Sequence, residues 1–181
     1  GSDVFILSGA EDLVPVLVKQ GTQWKPETVP PRKIGTKTYD IRRYRPRIEG
    51  LFARIERWTN QNDDSDVCWR SISKDNITTW YGKTQESRIF DPADHSHIFS
   101  WLICESYDDK GNAIRYHYVP EDDQRIDLAL ASERNRSTKT RKSNRYLKRI
   151  QYANKTPRKA DEDLSKRKDW LLETVFDYDE I

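Results

Sequence analysis

The chain has 181 residues, of which 35% are hydrophobic, 34% charged and 11% aromatic. The low apolar share argues against a thick conventional core, while six Trp and nine Tyr argue against wholesale disorder. A balance of 32 basic to 30 acidic side chains gives no global steering toward nucleic acid, and no apolar run approaches a membrane span, so insertion into a bilayer is excluded.

Two cysteines, Cys68 and Cys104, cannot build a disulfide framework; their apolar-alternating surroundings predict buried free thiols. The chain starts Gly1-Ser2, read as a cloning remnant or as native sequence, and contains no methionine. Residues 3–181 are expected to form a single β-rich segment, excised or processed from a larger chain.

Val4 to Leu7 form a brief apolar run. The Ser-x-x-Glu spacing of Ser8-Gly9-Ala10-Glu11 predicts a short helix over 9–14, stopped by Pro15. Gly21, Pro26, Pro30, Pro31 and Gly35 mark 20–38 as an irregular loop. Over 51–58, Leu51, Ala53 and Ile55 alternate with Phe52, Arg54, Glu56 and Trp58, and period two means strand.

A polar stretch over 59–66 leads to a hairpin spanning 68–81, turned at Lys74-Asp75-Asn76. A longer hairpin spans 97–118, turned at Asp108-Asp109-Lys110-Gly111-Asn112. Its first strand carries Phe99, Trp101, Ile103 and Glu105 on one face, with Ile98, Leu102 and Cys104 on the other. If both faces are covered, Trp101, Leu102 and Ile103 are buried together. A helical piece is expected over 125–133, then strands over 145–152 and 170–176. The last is apolar on both faces, with Trp170, Leu172 and Phe176 opposite Leu171 and Val175. The fold class is mainly β: antiparallel strands and hairpins with short helices, whose strands set an aliphatic face against one of aromatics and charges.

Three constellations bear on chemistry. Asp91, Asp94, His95 and His97 offer two carboxylates and two imidazoles, a metal-ligand set, but Pro92 and small polar neighbours read as an exposed loop. The turn over 108–112 lacks the ligand spacing of a calcium loop. From 134 to 159 there are eleven Lys or Arg and no Asp or Glu, interleaved with Tyr146 and Tyr152. Arg134, Arg136, Lys139, Arg141, Lys142, Arg145, Lys148 and Arg149 are its candidate basic surface for nucleic acid or an acidic partner. Acidic residues return at Asp161, Glu162 and Asp163, so a solvated face is the simpler reading and nucleic acid the alternative. No nucleophile elbow, phosphate-cradling glycine loop or Cys–His pair is present. No catalytic residue, cofactor or metal is assigned, and the segment reads as non-enzymatic.

Several strings carry a resemblance. They include Ser8-Gly9-Ala10-Glu11-Asp12-Leu13, Tyr44-Arg45-Pro46-Arg47-Ile48-Glu49-Gly50 and Trp80-Tyr81-Gly82-Lys83. Ser100-Trp101-Leu102-Ile103-Cys104-Glu105, Asn144-Arg145-Tyr146-Leu147-Lys148-Arg149 and Val175-Phe176-Asp177-Tyr178 continue the series. In this order they resemble the N-terminal region shared by the SpvB family and the B components of insecticidal toxin complexes (TcB, TcaC-like). The resemblance implies a piece of a strand-built shell of the Rhs/YD-repeat kind, which encloses or presents a toxic effector. It implies as partners the remaining domains of the same toxin chain, and the A and C components of a toxin complex. The implied location is extracellular after cytoplasmic assembly. SpvB-like chains carry an ADP-ribosyltransferase at the C-terminal end, and its Glu-x-Glu pair has no counterpart here.

Overall fold

A computed structural model describes residues 4–8, 12–27, 29–122 and 126–178. The Gly1-Ser2 pair lies outside them, as do 9–11 and 125, which belong to the two expected helical pieces. Fifteen strands are found among the described residues. The first eight are β1 (Phe5–Ile6), β2 (Asp12–Pro15), β3 (Leu17–Gln20), β4 (Gln23–Pro26), β5 (Val29–Ile34), β6 (Lys37–Pro46), β7 (Arg54–Asn60) and β8 (Asp63–Ile72). The others are β9 (Thr78–Tyr81), β10 (Arg88–Asp91), β11 (Asp94–Trp101), β12 (Ile103–Tyr107), β13 (Ala113–Pro120), β14 (Arg145–Asn154) and β15 (Trp170–Val175). Among the described residues helix is limited to single turns, three of them 3-10 (Gln85–Ser87, Ala131–Glu133, Leu164–Lys166) and one α, α1 (Thr138–Arg141). None is long and apolar enough to cross a membrane. The mainly β fold read from the sequence is the fold observed.

One large sheet runs β1-β2-β6-β7-β8-β9-β12-β13-β14-β15, every pairing antiparallel. Strand β6 pairs with β7 along one side and shares its other side between β2, at Tyr44 to Pro46, and β5, at Lys37 to Ile41. From β12 to β15 the spatial order is the sequence order. The ribbons β3–β4 and β10–β11 lie off this sheet.

Strand alternation sends side chains to opposite faces. Tyr39, Ile41, Trp58, Cys68, Trp80 and Cys104 form one buried cluster, and Leu13, Tyr44, Ile55 and Trp69 the other. Partly buried Phe5, Tyr81 and Trp101 pack on the second cluster. Rings meet edge-on in both: Trp58 and Trp80 centroids are 5.0 Å apart, as are those of Phe5 and Trp69. Aromatics therefore occupy both faces, not one as the sequence pattern suggested. The thiols of Cys68 and Cys104 are free and buried, as expected.

Several sequence expectations change. Asp12–Pro15 is strand, not the end of a helix, because Leu13 is buried in the second cluster and β2 pairs with β6. The described residues of 20–38 are mostly strand, with tight turns at Gly21 and Gly35, both at positive φ. Their prolines mark a strand end (Pro26) and an edge-strand irregularity (Pro30, Pro31), positions where a missing N–H is tolerated. The polar stretch 59–66 is largely strand within the β7–β8 hairpin.

The strand expected over 97–106 breaks at Leu102, whose N–H donates to Ser87 O while its carbonyl accepts the Gly82 N–H. A register shift between Ile103 and Glu105 then separates those two onto opposite faces. Trp101, Leu102 and Ile103 are half-buried, and Phe99 is exposed. Over 126–133 only the turn Ala131–Glu133 is helical, and α1 sits within the basic stretch. The hairpin over 68–81 forms as expected, with Asn76 at φ 58° in its turn. Between β14 and β15, residues 155–169 fold back on the β12–β13 turn: the Arg158 N–H donates to Gly111 O, and Leu164 is fully buried.

Candidate interaction surfaces

Two buried charge networks lie on the first face. Glu56 is completely buried; its carboxylate accepts from Arg54 Nε at 2.5 Å, Trp58 Nε1 at 3.0 Å, and Arg70 Nε and Nη2 at 3.0 and 2.7 Å. Burial alone would raise its pKa, but the adjacent Arg70 and the donated hydrogen bonds outweigh it and hold the carboxyl below the usual range. Asp66 accepts from Lys37 Nζ and Tyr39 Oη, both at 2.8 Å, from Asn60 Nδ2 at 3.1 Å, and from Arg88 Nη2 at 2.6 Å. Here too burial works upward and the donors bring the carboxyl well below its ordinary value, while burial and Asp66 push the Tyr39 phenol up. A cleft of about 290 Å³ beside Asp66 is lined by Lys37, Lys83, Arg88 and His95. Both carboxylates have their acceptor capacity used, Glu56 by two guanidinium groups and an indole N–H, Asp66 by two cations, a hydroxyl and an amide, an arrangement suited to holding strands in register.

The edges of the large sheet differ. Strand β5 carries Pro30 and Pro31 at a register irregularity and then Arg32 and Lys33, features that discourage a further strand from pairing. Strand β1 is two residues long. Strand β15 has neither proline, lysine nor irregularity. It exposes Leu171 (65%), Leu172 (53%) and Val175 (51%), which alternation places on both faces. Its Glu173 faces Arg149 at 3.6 Å. The Phe176 N–H donates inward to Lys148 O, so by alternation the amides of Leu171, Glu173 and Val175 point outward. The two-faced apolar character of this strand was readable in the sequence. Its being an edge was not, because strand order requires the pairing.

The basic stretch is divided. Arg141 is buried and donates to Glu133 Oε2 at 3.0 Å; Arg136 binds Glu121 at 2.7 Å and Glu133 at 3.3 Å. Arg145 donates to the carbonyls of Lys142, Ser143 and Asn144 and stacks on Phe90. Arg149 faces Glu173. Lys148 is half-buried, and Arg134, Lys139 and Lys142 are exposed. The carboxylates that neutralise this stretch lie outside the window 134–159, so counting charges within it missed them. The imidazoles stand apart from such networks: His95 packs on Phe90 with ring centroids 4.5 Å apart, and exposed His97 lies 3.6 Å from Asp94. Among the described residues no three His, Cys, Asp or Glu side chains converge as metal ligands.

A family model, the Salmonella virulence plasmid 65kDa B protein (SpvB), matches residues 1–181. The chain is 36% identical over 147 residues to the mono(ADP-ribosyl)transferase SpvB of Salmonella typhimurium, and equally to that of Salmonella dublin. The matches cover 79% of this chain and 24% of each relative, so the chain spans about a quarter of their length. It is also similar to the solved N-terminal domain of effector protein SpvB from Salmonella typhimurium strain LT2, with TM-score 0.81 and 33% identity over 98% of this chain and 55% of that one. The structure of TcdB2-TccC3-Cdc42 aligns with TM-score 0.75 and 27% identity, over 98% of this chain and 8% of that one. The likeness is to the N-terminal domain of a virulence effector and to a small part of a larger toxin chain, and the chain belongs to the SpvB family.

Proposed function

We propose that this chain is a non-catalytic wall segment of a secreted bacterial toxin or virulence protein, forming part of the shell that encloses or presents a toxic effector. The open edge of β15 carries the reading: a strand with apolar side chains on both faces and outward amides suits a sheet that continues. The sequence-ordered run from β12 to β15 supports the same direction of growth. The use of Glu56 and Asp66 as buried anchors, not as open acids or bases, supports a structural role. Its first partners are the remaining domains of the same chain. In a toxin-complex setting the A and C components follow, with assembly in the cytoplasm before release. The alternative of nucleic-acid or acidic-surface binding through 134–159 would rest on exposed Arg134, Lys139 and Lys142. Oligonucleotide affinity that falls steeply with salt would favour it.

Thermal melting and sedimentation of this chain, alone and within a longer SpvB-family polypeptide, test the proposal. Concentration-dependent association alone, and a higher melting temperature in the longer chain, are expected. A stable monomer with no gain on extension would mean a self-sufficient domain.

A further inference from the structure

The loop between β6 and β7, residues 47–53, places three apolar side chains in solvent: Ile48 (66% exposed), Leu51 and Phe52 (72%). Phe52 also adopts φ 49°, a left-handed conformation with a steric cost for a bulky L-residue. Gly50, two residues earlier, does not take that conformation. The strained peptide is held by Glu49, whose Oε1 accepts the Phe52 N–H at 2.8 Å. Packing within the chain offsets little of this cost, because the ring is mostly in water. A strained backbone that presents an aromatic side chain outward is the geometry of a contact made with another molecule.

Charge around the loop indicates what kind of molecule. A groove of about 300 Å³ beside Phe52 has Val16, Tyr44 and Ala53 in its lining, with Arg45 and Arg54 alongside. The nearby carboxylates are engaged: Glu27 with Arg43, Glu56 with Arg54 and Arg70, and Glu49 with the Phe52 amide. The exposed Arg45 guanidinium has no partner among the described residues, and Arg47 reaches Asp12 only at 3.8 Å. The surface beside the apolar loop is therefore left basic. We infer that loop 47–53 is a docking knob for an acidic protein segment that sets an apolar side chain beside a carboxylate. The apolar group packs on Phe52 and its groove, and the carboxylate meets Arg45 and Arg47. This inference does not depend on the enclosing role proposed above.

Selection of a random 12-residue peptide library on this chain tests it. Enriched peptides should combine aromatic or aliphatic residues with Asp or Glu. A synthetic consensus peptide should lose at least about tenfold in affinity with Phe52→Asn or Arg45→Glu, and weaken with salt. Asn tolerates the left-handed region, so Phe52→Asn should melt no lower than the parent. Peptides without acidic residues, or binding indifferent to both substitutions, would overturn the inference. So would a lower melting temperature for Phe52→Asn, which would show the ring serves the fold. Phe52-dependent pairing of two copies in sedimentation, or Phe52-dependent binding to phosphatidylserine vesicles, would also contradict it by naming a different occupant.

Discussion

Arg70 donates two hydrogen bonds to one carboxylate oxygen of Glu56, the residue directly opposite it on the neighbouring strand. Its guanidinium also lies over Trp58, with Cζ 4.8 Å from the ring centroid. One cross-strand pair thus fixes the β7–β8 register while filling the face with aromatic and cationic surface. A chain with few aliphatic residues can build a wall in this way, using satisfied ion pairs between rings.

Glu56→Ala should therefore lower stability by about 3 kcal/mol or more, because it strands the largely buried Arg70 beside Trp58 without its carboxylate. Arg54→Ala, at the more exposed arm of the same carboxylate, should cost about 1 kcal/mol or less. Urea denaturation of the two variants gives the comparison; equal losses would contradict this division.

Acid should unfold the chain through the same anchors. Asp66 and Glu56 have pKa values held below the ordinary carboxylate range in the folded state. The stability they contribute is present above the unfolded-state value of about 4 and is lost as pH falls through the folded values. Melting temperature should fall gently from pH 7 to 5, because burial lowers the His117 pKa and folding then disfavours its protonation, and fall steeply below about pH 4 as the two carboxylates protonate. Asp66→Asn should flatten that fall; a titration unchanged by it would place the acid sensitivity elsewhere.

The thiols should be inert while the chain is folded. Burial pushes Cys68 up to about 12 and Cys104 up to about 11, and Cys104 Sγ donates to Trp80 O at 3.3 Å. Since the thiolate is the nucleophile, a thiol reagent at pH 8 should label neither residue in the native state and both in urea. Rapid labelling of either without denaturant would contradict the buried assignment.

Gly82→Ala should be strongly destabilising, by about 2 kcal/mol or more. Gly82 has φ 64°, and a Cβ there would lie 2.3 Å from Trp101 Cδ1. The side chain would displace the ring whose Nε1 donates to Val67 O at 2.9 Å. A melting temperature within a degree of the parent would refute the close approach.

Period two over 54–58 and the Asn76 turn were legible in the sequence because each is a local property, whereas 51–53, read as the start of the same strand, lie in the loop before it, with Phe52 at φ 49°. The break at Leu102 was not: alternation continues through it while the backbone leaves one sheet for another, held by Ser87 and Gly82 from earlier in the chain. Pro30 and Pro31 misled in the opposite direction, reading as loop where they mark an edge strand. The neutralising partners of Arg136 and Arg141 were hidden for a similar reason, since Glu121 and Glu133 lie before the basic window and meet it only in space.

Amide hydrogen exchange at β15 tests the account most directly. In dilute solution of this chain, the outward amides of Leu171, Glu173 and Val175 should exchange fast while the inward amide of Thr174 is protected. Within a longer SpvB-family polypeptide, all four should be protected, because a further strand covers the edge. Fast exchange of the outward amides in both chains would show that β15 is a finished edge, and would contradict the continuing wall.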